Sequence, residues 1–424
     1  MSRRVVVTGS GALCAAGAHC ADIWAAACAG HSALTTLSDW GASRRGGVVE
    51  IDARTLVEDR KLPKLLRRSD MYGLYAAARA IDDAGLIAYR DTLADRAVAT
   101  FNDRTGVFVG AGGSAYQNQY DFFPLLDVAG DDLPTFGREL PATVNPMWLL
   151  RSLPNNVLCH VGIRFGFKGA NACITNHSVS GLLAVSEAAS AIRAGEVERA
   201  VAIGHDAPVE PQAVLYFERL GLLATECVRP FDAARSGSLL GDGAGALLLE
   251  TAEGAAARGA TVLGEILGSG CASEAGHLLA IREDGDGLAR AMTAALDDAG
   301  LDAADVGMIV AHGNGTRRSD ASEAAAIGSV FGAAAPPVTA FKWAFGHLIA
   351  AAGVVESVLA LHALRAGVVP GIATLREVDP ACAHLPVLSA AQAPRSDVAL
   401  ILSRGFAGMN VVLAVRAAHG GRLP

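Results

Sequence analysis

Two patterns alternate along the 424-residue chain. Short apolar runs, rich in Val, Ile and Leu and bounded by glycine, read as buried strands. Longer stretches whose apolar residues return every three or four positions read as helices packed on those strands. The runs predict strands over 4–9, 106–111, 199–204, 246–250, 261–267, 306–311 and 398–403. The helical spacing predicts helices over 22–29, the later part of 61–86, 178–195, 288–301 and 351–367. Residues 112–156, with their aromatics and prolines, read as an irregular insertion, and the glycines of GDGAG at 241–245 read as tight turns.

The second half repeats the first. AIDDAGL at 80–86 returns as ALDDAGL at 295–301, and SAIRAG at 190–195 is answered by LHALRAG at 361–367. The runs GVFVGA and RAVAIG are answered by VGMIVA and VALILS in the same order. A duplicated α/β body with mostly parallel strands is the economical reading. Its halves are 1–250 and 251–424, with the seam near 251–260. They are expected to pack as one body, because each alone leaves a face bare.

Composition narrows the function. Half the residues are apolar and 18% are charged, enough for a large core. A net charge of −8 argues against nucleic acid as a partner. The eight cysteines form no CxxC pair and no ligand spacing with histidine, so no metal site is expected. The chain enters a strand at once, without the apolar core of a signal peptide. Its most apolar run, 348–364, carries Glu356 and His362 and reads as a buried helix, not a membrane insertion. A cytoplasmic protein is expected.

In such a body, reactive residues sit on loops after strands. Three loops qualify. Ser178 stands where a helix begins, and free N–H groups with the helix dipole favour negative charge there. Serine is also an ordinary helix cap. His312-Gly-Asn-Gly-Thr316 follows a strand directly. Phe341 to His347 precedes the helix that mirrors the one after Ser178, so Ser178 and His347 occupy related positions in the two halves.

Five blocks carry a resemblance. They are VVVTGSGALCAAG (5–17), RPFDAARSGSLLGDGAGALLLE (229–250), HGNGTRRSDASEAAAIGSVFG (312–332), FKWAFGHLIAAAGVVES (341–357) and SRGFAGMNVVLAV (403–415). In order and spacing the chain resembles the β-ketoacyl synthases of fatty acid and polyketide synthesis. The resemblance covers nearly the whole chain. It implies an α/β thiolase-like fold, with duplicated βαβ halves forming a layered α-β-α-β-α body. It also implies acyl transfer from an acyl carrier protein, with no cofactor beyond the substrate's phosphopantetheine arm. The family's nucleophilic cysteine aligns with Ser178, nine residues after Gly169. The two catalytic histidines align with His312 and His347, the active-site lysine with Lys342 and its acid with Glu356. Asp320 and Glu323 match the acids after the HGTGT block. Phe406 matches the gating phenylalanine, with Ala407 in place of a glycine. Asn314 stands where a pantetheine-binding threonine is usual, and Thr316 is retained. Lys64, Arg67 and Arg68 match the basic face that docks the carrier protein. The relatives pair as dimers, so a homodimer, or a heterodimer with a second ketosynthase-like chain, is implied.

Serine changes the chemistry. A cysteine can ionise with help from a helix dipole, whereas a hydroxyl needs a general base. His312 and His347 are the candidate bases, and the backbone N–H groups of Ser178 and Phe406 are the implied oxyanion hole. An oxygen ester is a poorer electrophile toward a carbanion than a thioester. The reading is therefore an acyltransferase or atypical condensing enzyme working through a Ser178 ester. The alternative is a non-acylating partner of an active ketosynthase, like a chain-length factor. Asn176 and His177 also depart from the family's T-A-C, which argues against a single replaced residue. His177 is expected to point away from its neighbour at the turn. His160 and His205 are expected to be satisfied core histidines in strand-like surroundings. Trp343 is expected to narrow the pocket, and 112–156 to line the acyl tunnel and the dimer contact.

Overall fold

Ten strands join in one mixed sheet whose strand order repeats about its centre. The computed structural model describes residues 3–37, 44–113 and 119–421. The first half contributes β1 (Val5–Cys14), a small hairpin of β2 (Thr35–Thr36) and β3 (Arg45–Gly46), then β4 (Thr105–Ala111), β5 (Asn171–Ile174), β6 (Arg199–Asp206) and β7 (Gly243–Thr251). The second contributes β8 (Gly264–Ser273), β9 (Met308–Val310), β10 (Val338–Thr339), β11 (Val398–Arg404) and β12 (Met409–Ala417). Read outward from the centre, the halves run β1-β7-β6-β4-β5 and β8-β12-β11-β9-β10. Apart from the hairpin, each half thus places its first, fifth, fourth, second and third strand in the same sequence. β1 and β8 join the halves in antiparallel pairing, with Val5 opposite Ile266.

The expectation of mostly parallel strands is corrected. Parallel pairing is confined to the outer strands of each half, β4 with β5 and β6, and β9 with β10 and β11. β1, β7, β8 and β12 are antiparallel to their neighbours. β12 follows β11 through a 3-10 turn and β7 follows β6 through a connection that includes the helix Pro211–Arg219, and as antiparallel neighbours neither pair demands a crossover.

Five helices position the site: α1 (Arg68–Asp83), α2 (Ser180–Ala194), α3 (Asp286–Ala299), α4 (Arg317–Phe331) and α5 (Ala352–Ala366). α1 covers the outer face of the first half and α3 that of the second. α2 and α5 lie between the halves and touch strands of both, which gives the layered α-β-α-β-α body. Their composition suits that place. α2 buries Leu182, Val185, Ala189 and Ile192, the residues at helical spacing. Gly181 lets α2 approach the second half, since a Cβ there would lie 2.2 Å from the Ala350 carbonyl oxygen. The stretch Ile349–Ala366 is apolar enough to cross a membrane by composition, but 83% of it is buried, which makes it a core element.

Two further readings change. Gly243 and Gly245 belong to β7 itself, because the strand passes close under α5 and a Cβ at Gly245 would stand 2.9 Å from the Val355 nitrogen. In the segment 112–156, of which 114–118 lie outside the described residues, helices occur at Phe123–Ala129, Leu133–Thr143 and Trp148–Ser152. In the first two, a proline falls in the first turn, where it is tolerated.

Candidate active site

The chain leaves β5 at Ile174, makes a single 3-10 turn at His177–Val179 and enters α2. His177 takes a left-handed backbone conformation (φ 49°) at this turn. Two serines fasten it. Ser180 Oγ accepts the Asn176 N–H at 2.7 Å and donates to the His177 carbonyl at 2.8 Å. Ser403 Oγ, from β11, donates to the Ser178 carbonyl at 3.1 Å. Ser178 is thereby held buried at the mouth of α2.

The mirror turn in the second half is built alike. A short helix, Lys342–Phe345, ends at Gly346, and His347 follows before a 3-10 turn leads into α5. The related positions therefore meet, with Ser178 Oγ 3.3 Å from His347 Nε2 across 169 residues of chain. His347 Nδ1 accepts the Ile349 N–H at 3.2 Å. His312 stands edge-on to His347, their ring centroids 5.1 Å apart. Its Nδ1 accepts the Arg404 N–H at 3.3 Å, and its Nε2 is 3.3 Å from Asn314 Nδ2.

The loop bearing His312 hangs from two buried acids on α4. Glu323 accepts the N–H groups of His312 (2.7 Å) and Gly313 (2.9 Å). Asp320 accepts those of Phe231 (2.8 Å) and Gly315 (3.2 Å). Asn314 Oδ1 accepts from the Thr316 N–H and hydroxyl, at 2.9 and 2.8 Å. Lys342 Nζ lies 2.7 Å from Glu356 Oε1 in the buried ground behind the histidines. Burial, reinforced by the Lys342 charge, pushes His312 and His347 well below the ordinary histidine range. Burial raises Asp320 and Glu356 to about 7 and raises Glu323 as well. The histidines are therefore neutral near pH 7.

A cavity of about 480 Å³ opens over these groups. Its walls include His177, Ser178, His312, His347, Phe217 and Phe406, and Asn314 and Thr316 also face it. Phe406 opens a 3-10 turn whose next residue, Ala407, is left-handed (φ 58°) where the resemblance implies glycine. Among the described residues no group of three or more His, Cys, Asp or Glu is placed to hold a metal ion.

Several expectations fail here. His177 does not turn away: its Nδ1 is 2.9 Å from Ser178 Oγ, and its ring forms a triangular cluster with Phe217, stacked at 6.2 Å, and Phe406, tilted at 4.9 Å, which themselves lie 5.9 Å apart. The signal available in the sequence was the unusual histidine itself, beside the candidate nucleophile. Trp343 is fully buried and is not a wall of the cavity. His205 is buried, but neither ring nitrogen has a hydrogen-bond partner among the described residues, and His160 lies half-buried on the helix Asn156–Phe165. Arg67 is buried and spent on Asp70, with Nη2 2.8 Å from Oδ1, so it offers no charge for docking. The reason is its place as the cap of α1, where Asp70 closes a reciprocal pair with it. Arg68 is half-buried against Asp242 and the Val209 carbonyl, whereas Lys64 is exposed.

Comparison with known proteins shows the family. Residues 2–255 match the family described as β-ketoacyl synthase, N-terminal domain, and residues 263–376 match its C-terminal domain. Nodulation protein E of Rhizobium sp. (strain N33) is 33% identical over 98% of this chain and 100% of its own length. The 3-oxoacyl-[acyl-carrier-protein] synthase 2 of Staphylococcus aureus (strain COL) is 30% identical over 98% of each. Among solved structures, the ishigamide ketosynthase/chain length factor superposes with a TM-score of 0.87 at 30% identity, covering 99% of this chain and 100% of that one.

Proposed function

Because the chain belongs to the β-ketoacyl synthase family, we propose that it takes an acyl group from the thioester of an acyl carrier protein onto Ser178, forming an oxygen ester, and passes it to an acceptor. On this reading Ser178 takes the place of the family's cysteine. The observation that carries the reading is the contact of Ser178 Oγ with ring nitrogens of His177 and His347 inside a cavity between the two halves. A hydroxyl becomes a useful nucleophile only in such company.

The other parts take roles around it. The N–H groups of Ser178 and Phe406 both belong to the opening of a 3-10 turn, where donors lack an acceptor inside the turn. Together they would receive the oxyanion, an arrangement whose individual donors matter by about 100–1,000-fold in rate. His312, His347 and Lys342 supply the polar ground, and Asp320, Glu323 and Glu356 hold it in place. Asn314 and Thr316, on the cavity wall, receive the pantetheine arm. Among the described residues, Lys64 is the exposed cation of the proposed docking face. An ester favours transfer to water, an alcohol or an amine over carbon–carbon condensation. The setting would be fatty acid, polyketide or other specialised-metabolite synthesis in the cytoplasm, with the protein paired with itself or a second ketosynthase-like chain.

Incubation with acylated carrier protein, followed by peptide mass spectrometry, tests this. The expected result is one acyl mass on the Ser178 peptide, absent in Ser178→Ala. A second reading, a non-acylating partner of an active ketosynthase, is favoured by one observation. The nearest cysteine in the chain, Cys173, points its Sγ at the Pro154 carbonyl 3.3 Å away and not into the cavity. It predicts no acylation at any chain length and co-purification with a cysteine-bearing homologue.

A further inference from the structure

The hydrogen bonds around Ser178 have a direction. His347 Nδ1 receives a backbone N–H from Ile349, so it holds a lone pair and the neutral ring carries its proton on Nε2. That Nε2–H faces Ser178 Oγ at 3.3 Å and donates to it. His347 therefore cannot accept the hydroxyl proton in its resting form. His312 receives the Arg404 N–H at Nδ1 and faces the Asn314 amide nitrogen at Nε2, and no hydrogen bond joins it to Ser178 among the described residues. The serine proton has one remaining acceptor, His177 Nδ1, at 2.9 Å. The chain runs from His347 Nε2–H to Ser178 Oγ, and from Ser178 Oγ–H to His177 Nδ1.

We propose that His177, the residue immediately before the nucleophile, is the general base that activates Ser178, while His347 faces it as an N–H donor. This rests on the reading of Ser178 as the acyl acceptor. In the forward step His177 Nδ1 takes the Oγ proton as the oxygen lone pair attacks the thioester carbonyl carbon, and the carbonyl π pair moves onto its oxygen. Collapse of the tetrahedral intermediate re-forms the carbonyl and breaks the C–S bond. The departing pantetheine sulfur takes the proton from His177, leaving a Ser178 ester, a free thiol and a neutral imidazole.

Three features support the assignment. The left-handed backbone at His177 turns its ring back onto the neighbouring side chain, a geometry that an extended residue at this place would not give. Burial keeps the ring neutral and so available as an acceptor. The face of Phe217, stacked on the ring, stabilises positive charge as it develops, and Phe406 packs tilted against the same ring.

The test compares rates of acylation by acyl carrier protein thioester, read by intact mass, in four proteins: wild type, His177→Asn, Ser178→Cys and the double variant. Asparagine tolerates the left-handed backbone. His177→Asn is expected to slow acylation by about 100-fold or more. In the Ser178→Cys background the same change should cost far less, because a thiol ionises without that base. A second variant, His177→Gly, should regain rate with added imidazole, saturably. An equal loss in the serine and cysteine backgrounds without imidazole rescue, or no loss in the serine background, would overturn the proposal while leaving Ser178 acylation standing. A wild-type protein that never acylates at Ser178 removes both readings together.

Discussion

Lys342 and Glu356 form an ion pair at 2.7 Å in which neither side chain touches solvent. Glu356 has a second carboxylate oxygen without a hydrogen-bond partner among the described residues. A buried pair contributes little net stability while intact, but breaking it strands a charge. Glu356→Gln is expected to destabilise the protein by about 3–5 kcal/mol, measured by guanidinium unfolding. The double replacement Lys342→Met with Glu356→Leu should recover most of that loss. A double variant as unstable as the single one would show that the pair does more than neutralise itself.

Neighbouring residues on β6 pull the pH dependence of stability in opposite directions. His205 is held down to about 4 by burial, below its value in the unfolded chain. The unfolded state therefore binds a proton that the folded state refuses. This contribution is present above about pH 6.5 and is lost as pH falls toward 4, on the order of 2 kcal/mol between pH 7 and 5. Asp206 is raised to about 7 by burial, with one oxygen unpartnered among the described residues. Its contribution is present below about pH 4 and is lost as pH rises through about 7. Unfolding curves at pH 5, 6, 7 and 8 should show His205→Leu removing the acid-side loss and Asp206→Asn removing the alkaline-side loss.

The basic face offers a separation of stability from docking. Arg67→Ala should lower the melting temperature sharply, because it leaves Asp70 buried without its partner, a change of about 3–5 kcal/mol. Lys64→Glu should leave the melting temperature within a degree or two. It should weaken carrier-protein affinity in a salt-dependent way, as exposed charges do. Binding by surface plasmon resonance at two salt concentrations, beside a thermal melt, reads both. An unchanged affinity for Lys64→Glu would place the carrier elsewhere.

Ala407 carries a left-handed backbone at the turn that positions Phe406. A Cβ in that region costs roughly 1–2 kcal/mol. Ala407→Gly is expected to raise stability by about 1 kcal/mol and to loosen the turn, so that a melting curve moves up while acylation does not improve. A fall in stability would mean that the Ala407 methyl group packs more than it strains.

The repeat was readable because duplicated elements keep their apolar spacing: AIDDAGL and ALDDAGL end equivalent helices, each at a left-handed glycine, Gly85 and Gly300. Strand direction was not readable, since β7 and β12 are as apolar as the parallel strands and nothing in their composition tells which way they return. The meeting of Ser178 with His312 and His347 at one cavity followed from motifs whose loops leave strands. Arg67 misled because a sequence shows charge but not the Asp70 that consumes it three residues on. His177 misled for a different reason. The neighbour of a residue in an extended turn faces away from it, and only a positive φ brings the ring round.

The joint between β1 and β8 leaves Ser178 on one repeat and His347 on the other. A molecule bound against both is therefore a clamp between twins. An acyl group held at Ser178 should stiffen the body far beyond the cavity, raising the melting temperature of the whole chain and slowing amide exchange along β1 and β8. Occupancy of a few hundred cubic ångströms would then be legible in the cohesion of the entire molecule.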